Sequence, residues 1–170
     1  MKQLLLVRHA KSSWDITVSK DFDRELNDRG HKDAPAMAKR LLKNKVSIDA
    51  FVSSTAVRAF TTAVYFADEY EKGGQKSLDV IGIPQLYHAE PIVFENVIVE
   101  LDDALETVAI FAHNPGITEF VNGLTTARID DMPTCGIFAI KIEPSKILFD
   151  RSLKLKDLLY VSLFFSNITS

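Results

Sequence analysis

Three short runs with almost no polar interruption constrain this chain most: Leu4–Val7, Ile48–Val52 and Val108–Ala112. A strand with one solvated face alternates apolar and polar residues, whereas a run apolar throughout is covered on both faces. Helical spacing separates the runs. Ala34, Met37, Ala38, Leu41 and Leu42 recur through His31–Lys43, with Pro35 placed in the first turn. Ala59, Thr62, Ala63, Phe66 and Ala67 do so through Thr55–Tyr70, where Ser54 or Thr55 suits the cap. Leu78–Ile83 adds a strand, Ile92–Leu101 a segment opened by Pro91, Glu106–Ala112 the full length of the third run, and Ile117–Leu124 a helix. Gly136–Ile142 and Lys146–Phe149 read as a hairpin around Pro144-Ser145. The expected fold class is α/β: a three-layer sandwich, its central sheet mostly parallel, with helices on both faces. The 170 residues make one domain, 1–170, in which the apolar tail has no assigned place: Leu158–Phe165 reads as an extra strand, a partner surface or core.

Composition narrows the partners. A net charge of −3 offers no nucleic-acid or membrane surface. The apolar start before Arg8 is too short for a signal core or a span, so a cytoplasmic location is expected. Cys135, the single cysteine, allows neither an internal disulfide nor a thiolate metal site.

Chemistry gathers where the runs stop. The first ends at Arg8-His9, the second at Ser53-Ser54 with Arg58 in the next helix, and the last at His113-Asn114. Ligands of α/β sheets bind beyond the C-terminal ends of the strands, so Arg8, His9, Arg58 and His113 are expected to converge. Two guanidinium groups, two imidazoles and two helix N-termini suit a phosphate. There is no Gly-rich phosphate loop, so ATP or GTP is not the implied ligand, and there is no carboxylate set for magnesium. A neutral imidazole can attack phosphorus, its orientation fixed by a backbone carbonyl in the following loop, while arginines and a protonated second histidine hold the developing charge.

Leu6-Val7-Arg8-His9-Ala10-Lys11-Ser12-Ser13-Trp14 resembles the signature of the histidine phosphatase superfamily, in its phosphoglycerate-mutase-like branch, and is most similar to the SixA-type phosphohistidine phosphatases. Ser53–Thr62 resembles the Ser-x-x-x-Arg-Ala-x-x-Thr segment of that family, His113-Asn114-Pro115-Gly116 its second histidine motif, and Arg24–Gly30 its Arg-Pro-Leu-x-x-x-Gly, with Glu25 in place of proline. The resemblance covers about residues 2–151. It implies a phosphoglycerate-mutase-like fold, His9 as the phosphorylated nucleophile, Arg8, Arg58 and His113 on the phosphoryl group, and no metal or organic cofactor. Asn114 and Ser12 are further phosphate-binding candidates.

Two positions depart from the pattern. Many mutases and phosphomonoesterases of this branch carry a glutamate donor just after the third strand, in a Leu-x-Glu context, where this chain has Leu86-Tyr87-His88, with Glu90 two residues on. His88 is therefore the candidate proton donor and Glu90 a weaker one. Asp15 stands where several members have asparagine, and near phosphate it needs to pair with Lys11 or an arginine. A labile P–N bond requires less acid catalysis than an alkyl ester. Only 54 residues separate Arg58 from His113, which leaves no room for a large lid. The expected activity is a metal-independent phosphatase acting on protein phosphohistidine. The alternatives are a small-molecule phosphomonoesterase and a non-catalytic phosphate-binding module. The expected partner is a phosphorylated protein or small phosphorylated metabolite, and the chain a monomer or weak homodimer.

Overall fold

A computed structural model describes residues 2–14, 20–124, 128–142 and 159–162. The elements run β1 (Lys2–Arg8), α1 (Asp28–Lys43), β2 (Ala50–Ser53), α2 (Val57–Lys72), β3 (Val80–Gly82), α3 (Pro91–Glu100), β4 (Thr107–Ala112), α4 (Gly116–Leu124), β5 (Ile137–Ile142) and β6 (Leu159–Ser162). The strands form one sheet in the order β3-β2-β4-β1-β5-β6. The pairs β3–β2, β2–β4 and β4–β1 are parallel, and β5 and β6 are antiparallel to their neighbours.

Strand side chains alternate between faces, and both faces are covered. Leu5, Val7, Phe51, Ala109 and Phe111 pack with Ala34, Met37 and Ala38 of α1 and with Ala63, Phe66 and Tyr70 of α2. Leu4, Leu6, Val52, Val108 and Ile110 point the other way, onto Phe94 and Val97 of α3 and Ile117, Phe120 and Val121 of α4. Each large side chain so buried contributes roughly 1.5–3 kcal/mol of transfer free energy. The expected three-layer α/β sandwich is therefore present, and the doubly covered sheet explains why these strands carry no polar face.

Several boundaries differ from expectation. Helix α1 begins at Asp28, because the Asn27 side chain accepts from the Gly30 amide at 2.9 Å and caps it. Pro35 consequently lies inside the helix, not in its first turn. The cap residue of α2 is Ala56, with no side-chain cap; Ser54 Oγ accepts from the Ala56 amide at 3.3 Å. The expected hairpin arm Lys146–Phe149 lies outside the described residues, and the antiparallel partner of β5 is β6, from the apolar tail. Of the three readings of that tail, residues 159–162 take the extra strand. No helix among the described residues is long and apolar enough to cross a membrane.

Candidate active site

The sheet order sets β2, β4 and β1 side by side, so their parallel C-terminal ends deliver Ser53-Ser54, His113 and Arg8-His9 to one edge. The rings of His9 and His113 lie 5.1 Å apart, and both residues are buried. Backbone hydrogen bonds fix the edge: the His9 amide donates to the Ala112 carbonyl at 3.1 Å and the Ser54 amide to Phe111 at 2.9 Å. Arg58 is buried in the first turn of α2. Its carbonyl accepts from Thr62 Oγ1 at 2.6 Å, and that hydroxyl in turn accepts from the Ala10 amide at 3.0 Å. A single threonine thus ties the Arg58 helix to the loop after His9.

The orientation of His9 is determined. Its Nδ1 lies 2.7 Å from the Ala10 carbonyl. A carbonyl only accepts, so Nδ1 carries the proton and, in the neutral ring, Nε2 keeps the lone pair. Burial lowers the His9 pKa to about 4, with the Ala10 hydrogen bond opposing and the charges of Arg58, Arg8 and Arg24 adding to the drop. His113 donates to or accepts from Ser54 Oγ through Nε2, at 2.8 Å. Burial first, then His9, Arg58 and His88, lower its pKa to about 2. Both rings are therefore neutral at pH 7 in the free protein. A protonated second histidine, as anticipated from the sequence, is not the resting state, because burial and adjacent cations both penalise the charge.

Two aspartates absent from the sequence-based site complete it. Arg58 Nη2 donates to Asp21 Oδ2 at 2.8 Å and Nη1 to the Asp21 carbonyl at 2.5 Å. Arg8 Nη1 donates to Asp131 Oδ2 at 2.9 Å and also to the Met132 carbonyl. The positive cluster does not stand unneutralised; each guanidinium has a carboxylate of the protein's own. Three buried nitrogens at the site have no hydrogen-bond partner among the described residues: Arg8 Nε, Arg58 Nε and His113 Nδ1. Buried N–H groups left unpaired are costly, and an anion that accepts from several of them would satisfy them at once. Among the described residues no group of His, Cys, Asp and Glu is placed to hold a metal.

The remaining candidates divide. His88 is exposed at the rim with φ 51°, its ring 6.3 Å from that of His113 and its Nε2 3.6 Å from Asp21 Oδ2. Glu90 is exposed at the N-cap of α3 and bonds none of the cluster. Asn114 is engaged at both ends: its amide nitrogen donates to Asp131 and Met132, and its oxygen accepts from Thr118. The Ser12 hydroxyl accepts from Arg24 Nη2 at 2.7 Å. Asn114 and Ser12 thus brace the two loops that carry the aspartates. Asp15 lies outside the described residues. Arg24 and Tyr87 also belong to the site, although the sequence did not mark them as such. Arg24 bonds Ser12, Ser13 and Asp21 and lies 3.7 Å over the ring of exposed Trp14, while the Tyr87 hydroxyl donates to Asp21 at 3.0 Å. The three-residue spacing of Asp21 and Arg24 is the one local signal for this corner.

Residues 4–80 match the model of the histidine phosphatase superfamily (branch 1). Phosphoserine phosphatase 1 of Hydrogenobacter thermophilus is 27% identical over 133 residues, an alignment covering 76% of this chain and 59% of that protein. The chain thus spans about three fifths of that relative. Among solved structures, a SixA protein of Agrobacterium tumefaciens superposes with a TM-score of 0.74 at 23% identity, covering 83% of this chain and 92% of its own. The protein histidine phosphatase SixA complexed with tungstate superposes with a TM-score of 0.72 at 21% identity, covering 84% and 90%.

Proposed function

We propose that the chain is a member of the histidine phosphatase superfamily, whose model its residues 4–80 match, and that it is a metal-independent phosphatase working through a phosphorylated His9, with protein phosphohistidine as its substrate. The observation that carries the reading is the His9 ring: Nδ1 bound to the Ala10 carbonyl, a pKa lowered to about 4, and two arginines beside it. At neutral pH such a ring keeps a lone pair on Nε2, the atom that attacks phosphorus. The bond from phosphorus to the leaving atom breaks as the Nε2–P bond forms. Arg8, Arg58 and His113 hold the phosphoryl oxygens, whose charge satisfies the three unpaired nitrogens. Water then attacks phosphorus, the Nε2–P bond breaks, and phosphate leaves.

The substrate class follows from the acids. Asp21 is held ionised, and Glu90 stands outside the cluster. An alkyl phosphate needs a proton delivered to its leaving oxygen, whereas a phosphohistidine leaves as an imidazole. The likeness to SixA structures supports the same substrate. A second reading, a small-molecule phosphomonoesterase, rests on His88 at the rim, stacked outside His113 and able to serve as the acid. On either reading the reaction needs no cofactor, and the cytoplasm is the expected place of action.

Mixing the protein with a phosphohistidine peptide carrying labelled phosphate tests the proposal. An acid-labile, base-stable label should appear on the protein and then be released. His9→Ala should show no label and lose at least about a thousandfold in turnover, as loss of a nucleophile does. Unchanged release by His9→Ala would refute the assignment, and tight phosphopeptide binding without release by the intact protein would favour a binding module. A preference of the intact protein for small phosphate esters would favour the second reading.

A further inference from the structure

Phosphoryl transfer as described gives the Asp21 carboxylate no direct part in the reaction. Asp21 Oδ2 accepts from Arg58 Nη2 at 2.8 Å and from the Tyr87 hydroxyl at 3.0 Å, with His88 Nε2 3.6 Å away, and Oδ1 accepts from Arg24 Nη1 at 2.7 Å. Burial opposes its ionisation, but the hydrogen bonds from Arg24 and Tyr87 and the charge of Arg58 outweigh that and hold the carboxyl well below the usual range. A carboxylate has about four acceptor positions, and Arg24, Arg58 and Tyr87 use three of them. The side chain is nonetheless 40% exposed.

Position suggests the use of the remaining acceptor. The site deepens from exposed His88, past buried His113, to buried His9. A phosphoryl group that reaches His9 leaves the rest of its substrate at the rim, beside Asp21, Tyr87 and His88. His113 and His9, deeper in the pocket, are neutral, whereas the rim beside His88 carries the Asp21 carboxylate. That charge opposes a developing alkoxide and favours a leaving group that is itself a cationic hydrogen-bond donor.

We propose that Asp21 is a specificity-determining residue whose carboxylate accepts a hydrogen bond from the distal ring N–H of a substrate phosphohistidine, selecting N-phosphorylated over O-phosphorylated side chains. The inference rests on the phosphohistidine reading above. With the distal nitrogen protonated on Asp21, the phosphorylated ring is an imidazolium. The His9 Nε2 lone pair forms the new N–P bond, the substrate N–P bond breaks, and its electron pair returns to the leaving ring nitrogen. The ring departs as neutral imidazole, still holding its distal proton, and no acid is consumed. A phosphoserine has no such donor for Asp21, and its oxygen leaves without a proton source there.

The test compares kcat/KM for two peptides of one sequence, phosphorylated on histidine or on serine, in the wild type, Asp21→Asn and Asp21→Glu. Both substrates are assayed on one preparation, so their ratio is independent of the folded fraction. Asp21→Asn should lower the histidine-to-serine ratio roughly ten- to hundredfold, the range of a hydrogen bond to a charged partner. Asp21→Glu, which keeps the charge, should recover part of it. If Asp21 served only to hold Arg58, both substrates would suffer alike; an unmoved ratio in Asp21→Asn overturns the inference and leaves the substrate reading intact. A wild type without preference for the phosphohistidine peptide overturns both.

Discussion

His9 and His113 are buried bases set against two guanidinium groups, and their protonation ties stability to pH. Each folded-state pKa lies below the ordinary 6.5, at about 4 and about 2. Above pH 7 neither the folded nor the unfolded state binds a proton at these rings, and stability is complete. As pH falls through 6.5 the unfolded chain takes up protons that the native pocket refuses, so stability is lost from there down toward the folded pKa values. By pH 5 the His9 contribution alone amounts to about 2 kcal/mol. His9 is one of the groups that lower the His113 pKa, so the two effects do not add. Urea unfolding at pH 7.5 and pH 5 should show this loss, and added phosphate should reduce it by supplying charge that the imidazolium forms can pair with. NMR titration gives a direct check: neither ring should protonate between pH 8 and pH 5, and a His9 midpoint near 6.5 would contradict the burial argument. The residues that answer the pocket's positive charge could not be read locally. Arg58 and Asp21 are 37 positions apart, and Arg8 and Asp131 are 123 apart. Only the fold brings them together, whereas His9, Arg8, Arg58 and His113 were legible because each follows closely on an apolar run.

At the scale of elements, two glycines determine how closely the site loops approach. A Cβ on Gly116, at the start of α4, would lie 1.8 Å from the Ala89 carbonyl, and one on Gly30, in α1, 2.1 Å from the Lys11 carbonyl. The first contact seats the His88 segment against the helix that follows His113; the second seats the loop after His9 against α1. Backbone cannot give way as a flexible side chain can. Gly116→Ala should therefore cost at least about 1–3 kcal/mol and lower kcat, because relief of the clash moves the rim that carries His88. Gly123, in the same helix, is open: a methyl group there would meet nothing within 4 Å. Gly123→Ala should instead leave turnover intact and add up to about 1 kcal/mol. Thermal melts and steady-state assays of the pair check both; equal effects would show that crowding at Ala89 is not the determinant. In the sequence Gly30 and Gly116 stand out only as the last residues of the family-like segments Arg24–Gly30 and His113–Gly116, with no local sign of the close approach. The strands are easier to read, because a strand covered on both faces has no polar residue to confuse its period. Helix α1 starts three residues before the spacing places it, since Asp28, Arg29 and Gly30 look like loop until Asn27 is seen to cap them.

Over the whole molecule, the antiparallel side of the sheet supports the site from behind. The Cys135 amide, just before β5, donates to the carbonyls of Arg8 and His9, each at 3.1 Å, and the Arg8 amide donates to Gly136 at 3.1 Å. Strand β5 thus holds the Arg8-His9 end of β1, and β6 in turn covers the outer edge of β5, pairing Ala139 with Ser162 through Ile142 with Leu159. Local spacing suggests a neighbouring hairpin arm for this position; the pairing is with residues farther along, which periodicity alone cannot reveal. Truncation after Asp157 removes β6 and leaves β5 as an edge whose buried Ile137, Phe138, Ala139 and Ile140 flank unpaired backbone groups. Such an apolar, unprotected edge recruits other strands. The truncated chain should melt at a lower temperature and form larger particles than the intact one in sedimentation. If His9 is the nucleophile proposed above, the truncated chain should also lose kcat more than it raises KM, because freedom in β5 reaches His9 through Cys135 before it reaches the rim. An intact chain that dimerises and a truncated one that is monomeric and fully active would instead make the tail a subunit contact and remove β6 from any part in holding His9.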